Sequence, residues 1–524
     1  MSYTIVGKRN VSKALEQKAQ AIPDKPFIVF EDVEARAHTF TYGRFDQTVN
    51  RLTHGLRQLG VRKGDRVNVH LSNSPEFLFS WFAIAKLGAV MVPTNPLSPP
   101  DELAYPVHHS EAVLTITQPD LLANVQTMRK ACPNVRNAVL CGTASPPPGI
   151  LAFDKLIASQ PATPPDVAIA PLDDAAILYT SGTTSRPKGV QVTHANYVFL
   201  GEAISKNVRL GPDDRHLVTL PLFHGNAQYY SIMTSLNAGA SAVVIHRFSA
   251  SRFFKQAIRH QCTIASLLGA PIRMILAQPF DSTDRAHKMR LAFFAMSLTE
   301  AQLAEWERRY SVPLMQLYGM TETMGQPLAN PLDYTRDPMR IGFPTLGYEV
   351  RVVDEQGRDV LEGTAGQLII RGIPGITIMK GYFKDPERTA QALRDGWLWT
   401  GDVVEVGPDG MFRFVDRAKD LIKRAGENVS AGEVEAVVKQ HPAVADAAVV
   451  GVPDAMRDEA IVAFVILKDH TAVAEGDIIE FCKARLSKFR VPEAVEFRKA
   501  FPMTSTSKIQ KNLLRDELIA RRKK

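Results

Sequence analysis

The chain has 524 residues, which is too many for one hydrophobic core, so we expect two to four domains or subdomains. Hydrophobic residues make up 45% and charged residues 22% of the composition, as is ordinary for a globular protein. The formal net charge of +7 suits small anionic substrates, and because the only basic run is the C-terminal RRKK, the composition argues against a nucleic-acid-binding protein.

The cysteines and the apolar segments indicate the compartment. No CxxC pair and no zinc-type Cys/His spacing is present, so Cys132, Cys141, Cys262 and Cys482 are predicted to be free thiols. The first nine residues contain no apolar core of signal-peptide length. The most apolar stretch, residues 77–92, is short and carries Lys86, which favours a buried helix over a membrane span. We therefore expect a cytoplasmic monomer or homodimer without stable membrane insertion.

In the first 400 or so residues, short apolar runs alternate with helical patterns. Residues 45–59 have a helical spacing of apolar side chains, closed by Gly60 as a C-cap candidate. A strand is predicted at 66–71, an apolar helix around Trp81, and another strand at 89–93. This β-α-β order predicts an α/β fold, with a large N-terminal domain of parallel-rich sheets and helices.

The elements become smaller and closer together after about Asp416. The sequence Ser430-Ala431-Gly432-Glu433 is typical of a capping box that opens a helix. Further predicted elements are strands at 447–452 and 460–467, a helix at 478–486 and a strand at 495–497. We predict an N-terminal domain at 1–418 and a small α+β C-terminal domain at 419–524.

The segment 179–190, YTSGTTSRPKGV, follows a short apolar strand and has the chemistry of a phosphate-binding loop. Phosphate oxygens need inward-pointing backbone N–H groups, small residues that permit close approach, hydroxyls and a cation, and this loop supplies them all. The Walker pattern is absent, because no Ser or Thr follows Lys188 at the required place. A polar surface turn is the alternative, although a hydroxyl run ending in Pro-Lys-Gly is uncommon by chance.

This loop resembles the phosphate-binding signature of the adenylate-forming superfamily, which contains acyl-CoA synthetases, firefly-type luciferases and the adenylation domains of peptide synthetases. Other motifs of that superfamily occur in the same order, so the resemblance covers nearly the whole chain: QLYGMTET at 316–323, WLWTGD at 397–402, FVDRAKDLIK at 414–423 and PMTSTSKIQ at 502–510. The resemblance implies an AMP-forming acyl-CoA synthetase that uses ATP, Mg²⁺ and CoA.

The resemblance also implies the nucleotide contacts. Tyr318 is expected to lie against adenine, Thr321 to contact the α-phosphate, and Glu322 to help hold Mg²⁺, tasks that suit an aromatic face, a hydroxyl and a carboxylate. Asp402 is expected to bind the ribose hydroxyls and Arg417 to contact the nucleotide. The remaining implied nucleotide-binding residues are Thr180, Ser181, Gly182, Thr183, Thr184, Lys188, Gly319 and Met320, with Thr180 also assigned to catalysis.

The C-terminal motifs are implied to serve the change between two half-reactions. Lys419 matches the hinge about which the mobile C-terminal domain turns, and Lys508 matches the lysine that stabilises charge during adenylation. Lys511 is expected to be an ordinary solvated charge. Lys423, Gly426 and Glu427 are assigned to cofactor binding, and Arg457 to a CoA phosphate, with a salt-bridged loop arginine as the alternative for Arg457.

The identity of the acid is less well indicated. His224, in PLFHGN at 221–226, matches a residue that gates the acyl pocket and is assigned to catalysis, although a packed core histidine is the alternative. Asn226 and Gln228 favour a short or polar acid. Several stretches, such as RGIPG at 371–375, resemble the crotonobetaine/carnitine-CoA ligase group, whose quaternary ammonium could be met by Tyr229 and Tyr230. A fatty or aromatic acid ligase, and a non-catalytic nucleotide-binding protein, are the alternatives.

A substitution of Lys508 tests its implied role. Lys508→Ala is expected to suppress formation of the acyl-adenylate, because the positive charge that offsets the developing negative charge is lost. Thioester formation from a supplied acyl-adenylate is expected to persist. Separate assays of the two half-reactions check this, and an equal loss in both would show that the assignment is wrong.

Overall fold

The computed structural model describes residues 5–180, 186–296, 298–333, 336–424, 427–454, 457–503 and 509–522. Packing divides the chain into two compact units. The first takes in Met1–Thr180, Pro187–Glu349 and Arg371–Gly396, and the second takes in Val350–Ile370 and the chain from Trp397 onward. The boundary between residues 418 and 419 stays a prediction.

Helices and strands alternate through most of the chain. The helices are α1 (Val11–Ala21), α2 (Tyr42–Gln58), α3 (Pro75–Lys86), α4 (Pro100–His109), α5 (Leu122–Ala131), α6 (Phe153–Ala158), α7 (His194–Asn207), α8 (Thr234–Ala238), α9 (Phe253–Arg259), α10 (Gly269–Leu276), α11 (Glu300–Tyr310), α12 (Pro386–Ala392), α13 (Ala431–Val438), α14 (Glu475–Lys483) and α15 (Lys511–Arg522). A π-helix covers Ala227–Met233, and 3₁₀ turns cover Pro119–Leu121, Ala250–Arg252, Ser282–Ala286, Thr321–Thr323, Ala418–Asp420 and Lys488–Arg490.

The strands are β1 (Pro26–Glu31), β2 (Ala37–Thr41), β3 (Arg66–His70), β4 (Val90–Pro93), β5 (Leu114–Thr117), β6 (Asn137–Leu140), β7 (Leu151–Ala152), β8 (Asp174–Thr180), β9 (Lys188–Thr193), β10 (Arg215–Val218), β11 (Ser241–Ile245), β12 (Ile264–Leu268), β13 (Leu291–Ala295), β14 (Leu314–Tyr318), β15 (Leu328–Ala329), β16 (Phe343–Pro344), β17 (Glu349–Val353), β18 (Gly366–Arg371), β19 (Gly381–Tyr382), β20 (Leu393–Arg394), β21 (Trp397–Val406), β22 (Phe412–Arg417), β23 (Leu421–Arg424), β24 (Glu427–Ser430), β25 (Val444–Asp454), β26 (Asp458–Leu467) and β27 (Ala494–Phe497).

Two large sheets form the first unit. One has the order β16-β15-β14-β13-β12-β10-β11-β1-β2, and the other has the order β19-β9-β8-β4-β3-β5-β6-β7. The neighbours from β14 to β1 in the first sheet, and from β8 to β7 in the second, are parallel. Antiparallel pairs occur at the edges, where β9 joins β8 and β19. The predicted α/β class with parallel-rich sheets is confirmed.

Local sequence signals explain the predicted elements near the N-terminus. Helix α2 is capped by Thr41, whose hydroxyl accepts the Arg44 N–H, and Gly60 follows the helix with a φ of +87°. Helix α3 is capped by Ser74 and begins with a proline, which suits the first turn of a helix. Because α3 lies between other elements on all sides, every residue from Phe77 to Lys86 is buried, which is why its sequence shows little amphipathic pattern.

The second unit contains the predicted small α+β region. Strands β24-β23-β26-β25 form a sheet to which β27 adds on β26, and α13, α14 and α15 accompany it. Ser430 caps α13 by accepting the Glu433 N–H, as expected. The Glu433 side chain pairs with Arg413 and Arg490, so among the described residues the reciprocal half of the predicted capping box is replaced by ion pairs.

The apolar segment that carries Lys86 is a core helix. The described helices include none with the length and apolar character needed to cross a membrane. Lys86 is 1% exposed, and its ammonium contacts Asp46 at 2.7 Å, Asn50 at 2.7 Å and Glu16 at 3.0 Å. The four cysteines are free and buried. The lysine thus joins α1, α2 and α3 through a fully paired cation.

Removal of this cation is expected to destabilise the first unit. In Lys86→Met, Asp46 keeps its burial but loses its counter-charge, which should cost about 3 to 5 kcal/mol. The control is Lys206→Met, which removes an exposed lysine paired with Glu202 at 2.8 Å and should cost less than about 1 kcal/mol. Denaturant unfolding of both variants measures the difference, and similar midpoints would contradict the account.

Candidate active site

Strands β8 and β9 form an antiparallel pair that positions both ends of the glycine-rich loop. Thr180 at the end of β8 is opposite Lys188 at the start of β9. The Thr180 hydroxyl lies 3.5 Å from the Lys188 carbonyl oxygen. Ser181, Gly182, Thr183 and Thr184 lie outside the described residues. A Cβ at Gly189 would lie 2.7 Å from Ile177, so the strand needs glycine there.

The predicted lysine and the predicted carboxylate of the first unit are linked through one tyrosine. The Lys188 ammonium donates a hydrogen bond to the Tyr382 hydroxyl at 2.9 Å. That hydroxyl donates to Glu322 Oε1, also at 2.9 Å. The Lys188 Nζ also lies 4.4 Å from the centre of the Tyr382 ring. The structure therefore brings Lys188 and Glu322 to one place, and it adds Tyr382, which sequence analysis missed.

Backbone pairing explains how these three residues meet. Strand β19 runs antiparallel to β9, with Tyr382 opposite Val190. The Phe383 N–H donates to the Gly189 carbonyl at 2.7 Å, just beyond the ladder. The Met379 N–H donates to the Glu322 carbonyl at 2.8 Å. The segment around Tyr382 is thus tied by its main chain both to the strand of Lys188 and to the turn of Glu322.

Glu322 is suited to a cation. It is 4% exposed, and only its Oε1 has a hydrogen bond among the described residues. Burial, with the charge of Glu322 second, raises the pKa of Tyr382 well above its usual value, so the tyrosine hydroxyl keeps its proton. The described residues contain no group of three or more His, Cys, Asp or Glu side chains suited to a metal. A single carboxylate fits Mg²⁺ that is held mainly by nucleotide phosphates.

The turn after β14 carries the other predicted nucleotide residues of the first unit. Tyr318 is buried at the end of β14, and Gly319 and Met320 lead into the 3₁₀ turn that begins at Thr321. A Cβ on Gly319 would lie 2.3 Å from the Gly325 carbonyl oxygen. The segment therefore folds back on itself so closely that only glycine fits.

The predicted acyl-pocket residues lie around the π-helix. His224 is half-buried, and its Nδ1 accepts the Asn226 N–H at 3.2 Å, so Nε2 carries the proton in the neutral ring. The Asn226 Oδ1 accepts from the Ser266 hydroxyl at 2.9 Å. Tyr229 and Tyr230 are buried, with hydroxyls directed at Met324 and at the Gly325 carbonyl. Both rings are packed in the interior of the first unit, and their contact with a quaternary ammonium stays a prediction.

Gln326 is a second residue that sequence analysis missed. It is 1% exposed, and neither its amide nitrogen nor its amide oxygen has a hydrogen-bond partner among the described residues. Buried polar groups are nearly always paired, so the Gln326 amide, four positions after Glu322, requires an ordered water or a polar ligand group as its partner. Its position three residues after the YGMTET motif is the sequence signal that could have drawn attention to it.

Within the second unit, the two predicted nucleotide residues lie side by side. Asp402 is buried on β21, opposite Arg417 on β22, and the Arg417 Nε lies 3.3 Å from Asp402 Oδ1. Lys423 is exposed on β23. Arg457 pairs with Glu493 at 2.6 Å, as the salt-bridged alternative anticipates.

Four of the predicted C-terminal site residues are described only in part or not at all. Lys508 and Gly426 lie outside the described residues. The backbone of Lys419 lies in the 3₁₀ turn Ala418–Asp420, and that of Glu427 begins β24, but their side chains also lie outside the description. Lys511 pairs with Glu435 at 2.7 Å and is largely buried, so the expectation that it is a solvated charge is wrong.

Comparison with known proteins shows similarity over the full length. A family model described as "AMP-binding enzyme" matches residues 15–383, and one described as "AMP-binding enzyme C-terminal domain" matches residues 433–508. The crotonobetaine/carnitine–CoA ligases of Salmonella typhimurium strain LT2 and of Salmonella typhi are 38% identical over 517 residues, which cover 97% of this chain and 99% of each relative.

Solved structures show the same similarity. An anthranilate CoA ligase, AuaEII, in complex with anthranoyl-AMP has a TM-score of 0.89 at 28% identity and covers 97% of both chains. ATP-bound MatB from Rhodopseudomonas palustris has a TM-score of 0.88 at 26% identity, covering 98% of this chain and 99% of that one. The o-succinylbenzoate CoA synthetase of Bacillus subtilis, in complex with OSB-AMP, has a TM-score of 0.85 at 26% identity, covering 97% and 98%.

Close packing at Gly319 leads to a test of this turn. Gly319→Ala is expected to lower stability by about 1 to 3 kcal/mol and to weaken ATP binding, because the added methyl group displaces the segment around Gly325. The control is Gly476→Ala in α14, where an added Cβ meets nothing within 4 Å and Tm should hold or rise. Thermal unfolding with and without ATP measures both effects, and equal behaviour of the two variants would contradict the assignment.

Proposed function

The chain belongs to the family of AMP-binding enzymes and is an AMP-forming acyl-CoA ligase, and from this we propose that it activates a small polar acid of the carnitine or crotonobetaine type. The proposal is supported by the identity with carnitine-type ligases over nearly the whole chain, which exceeds the identity with the aromatic-acid ligase structures. Medium- or long-chain fatty acids and aromatic acids are the alternative substrates.

The observation that carries the proposal is the unpaired, buried amide of Gln326. An unsatisfied buried donor or acceptor costs about 1 to 3 kcal/mol, and the hydroxyl of carnitine would remove that cost. The quaternary ammonium that carnitine and crotonobetaine share has no N–H, so it would meet the amide oxygen by charge alone. A fatty acyl chain would leave both amide atoms unpaired. The Asn226–Ser266 hydrogen bond places further polar groups beside the π-helix, which begins directly after Asn226, and this agrees with a short polar acid.

We propose that Lys188 donates hydrogen bonds to the phosphates of ATP while the Thr180 loop surrounds them. Glu322 would hold Mg²⁺, which when bound neutralises phosphate charge. Tyr318 would lie against adenine, Thr321 would contact the α-phosphate, and the Asp402 carboxylate would accept hydrogen bonds from the ribose. Gly319, Met320 and Arg417 complete the proposed nucleotide contacts.

The proposed reaction has two steps. The carboxylate of the acid attacks the α-phosphorus of ATP in line, forming the acyl-adenylate as the bond to pyrophosphate breaks. The CoA thiolate then attacks the acyl carbonyl, forming the thioester and releasing AMP. We propose that Lys508 assists the first step and that His224 gates the acyl pocket. Neither step needs a covalent intermediate on a protein side chain.

The remaining assignments concern the second step. Lys423, Gly426, Glu427 and Arg457 are proposed to contact the cofactors, with Lys419 as the hinge between domains at 1–418 and 419–524. Arg457 has an ion-pair partner in Glu493, so its contact with CoA would require exchange of that pair. Such an exposed pair is worth little, since the Arg457 side chain is 52% exposed.

A panel of acids tests the proposed substrate class. Release of AMP and pyrophosphate is measured with carnitine, crotonobetaine, butyrate, benzoate and a long-chain fatty acid, each with and without CoA. We expect turnover that depends on CoA and is highest with carnitine or crotonobetaine. Equal or better use of butyrate, benzoate or the fatty acid would show that the substrate class is wrong.

The variant Gln326→Leu sharpens this test. Loss of the amide should lower kcat/KM for carnitine by about 10-fold to 100-fold, while butyrate, which lacks the hydroxyl and ammonium groups, serves as the matched substrate and should change little. Crotonobetaine lacks the hydroxyl but keeps the cation, so it identifies the group that the amide contacts. A uniform loss for all acids would contradict a role in substrate selection.

A further inference from the structure

We infer that Tyr382 is a positioning residue for adenylation. Its hydroxyl keeps Lys188 and Glu322 apart and orients the lysine toward ATP and the carboxylate toward Mg²⁺. The inference rests on the roles proposed above for Lys188 and Glu322. Neither the glycine-rich loop nor the turn after β14 contains Tyr382, which is contributed by a separate short strand.

The Tyr382 hydroxyl acts as a hydrogen-bond donor to one charged group and as an acceptor from the other. The hydroxyl has a single proton, which is donated to Glu322, and its lone pair accepts from Lys188. The Lys188 ammonium group has three protons and donates one of them to the Tyr382 hydroxyl. The other two, like the second oxygen of Glu322, have no partner among the described residues. Tyr382 therefore fixes both charged groups and leaves each with capacity to bind a ligand.

The charge arrangement explains why a neutral spacer is useful. A lysine and a glutamate side by side in a buried site would form a direct ion pair and neutralise each other. ATP and Mg²⁺ would then have to break that pair before binding. No such contact within 4.0 Å joins Lys188 and Glu322, and the tyrosine hydroxyl lies between them. The spacer keeps the cation available for phosphate and the carboxylate available for a metal ion.

The position of Tyr382 is set by its main chain. Its N–H donates to the Thr389 hydroxyl at 2.9 Å, and that hydroxyl donates to the Asp385 carbonyl at 2.8 Å. The pairing of β19 with β9 fixes the other side of the residue. Tyr382 is 5% exposed, so its hydroxyl has little freedom to turn away. A rigidly held partner that orients a ligand-binding group is the usual way in which a supporting residue affects activity.

The test uses Tyr382→Phe, which keeps the ring and its contact with the Lys188 ammonium while it removes the hydroxyl. The matched control is Tyr42→Phe, which removes the hydroxyl of another buried tyrosine, one that donates to the Ala240 carbonyl at 2.7 Å away from these residues. Both variants lose one buried hydroxyl, so a general loss of stability should be similar in the two.

Four properties of the whole enzyme are compared: acid-dependent exchange of pyrophosphate into ATP, thioester formation from a supplied acyl-adenylate, Tm, and the rise in Tm caused by ATP with and without Mg²⁺. In Tyr382→Phe, kcat/KM for ATP in the exchange reaction should fall by about 10-fold to 100-fold. The Mg²⁺-dependent rise in Tm should shrink, while thioester formation should be retained. Tyr42→Phe should retain both half-reactions.

The outcomes separate this inference from the proposed function. If Lys188→Met and Glu322→Gln keep wild-type exchange, the proposed site itself is wrong. If those variants lose exchange but Tyr382→Phe does not, the inference about Tyr382 is overturned. It is also overturned if Tyr382→Phe loses both half-reactions equally and behaves like a general destabilisation. The loss in the double variant Tyr382→Phe/Lys188→Met should be smaller than the combined losses of the two single variants, because part of the effect of the tyrosine passes through the lysine and the rest through Glu322.

Discussion

The antiparallel pairing of β9 with β19 is the constraint on which the candidate site depends. It places the Tyr382 hydroxyl between a lysine and a carboxylate that come from distant parts of the chain, with Tyr382 separated from them by 194 and 60 positions. The main-chain bond from Met379 to Glu322 supplies the second connection. Close packing at Gly189 and Gly319 permits these segments to approach, since a methyl group at either position would clash with its neighbour.

Two lysines of the first unit show how structural and functional cations differ. The Lys86 ammonium uses all three of its protons on Asp46, Asn50 and Glu16, and it lies in direct contact with its counter-charges. The Lys86 ammonium therefore has no proton available for a ligand, and its role is to join helices. Lys188 has a single hydrogen bond among the described residues and meets its nearest carboxylate only through Tyr382. The candidate active site is thus distinguished by a lysine whose hydrogen-bonding capacity is only partly used, and not by the presence of a charge alone.

Much of the fold could be predicted because its signals are local. Helix α2 has a threonine cap and a following glycine, and α3 has a serine cap and a proline. Strand β3 alternates polar and apolar residues, and β4 is a short apolar run. The expected reduction in element size toward the C-terminus is wrong for the strands, because β25 has 11 residues and β26 has 10, whereas β8 has 7. The reciprocal capping bond of Glu433 was not confirmed because Arg413 and Arg490, from other segments, compete for its carboxylate.

The site could be predicted only where a motif is contiguous. Lys188 and Glu322 belong to such motifs, whereas Tyr382 acquires its role from strand pairing that local sequence does not encode. The burial of Gln326 without a partner, and the ion pair of Lys511 with Glu435, also arise from tertiary packing.

A crystal structure of the enzyme with ATP and Mg²⁺ would test the arrangement most directly. The account predicts that Tyr382 keeps both hydrogen bonds, that the Lys188 ammonium meets phosphate oxygens, and that the Glu322 carboxylate faces the metal ion. A direct ion pair between Lys188 and Glu322, or a Tyr382 hydroxyl turned away from both while nucleotide is bound, would contradict it.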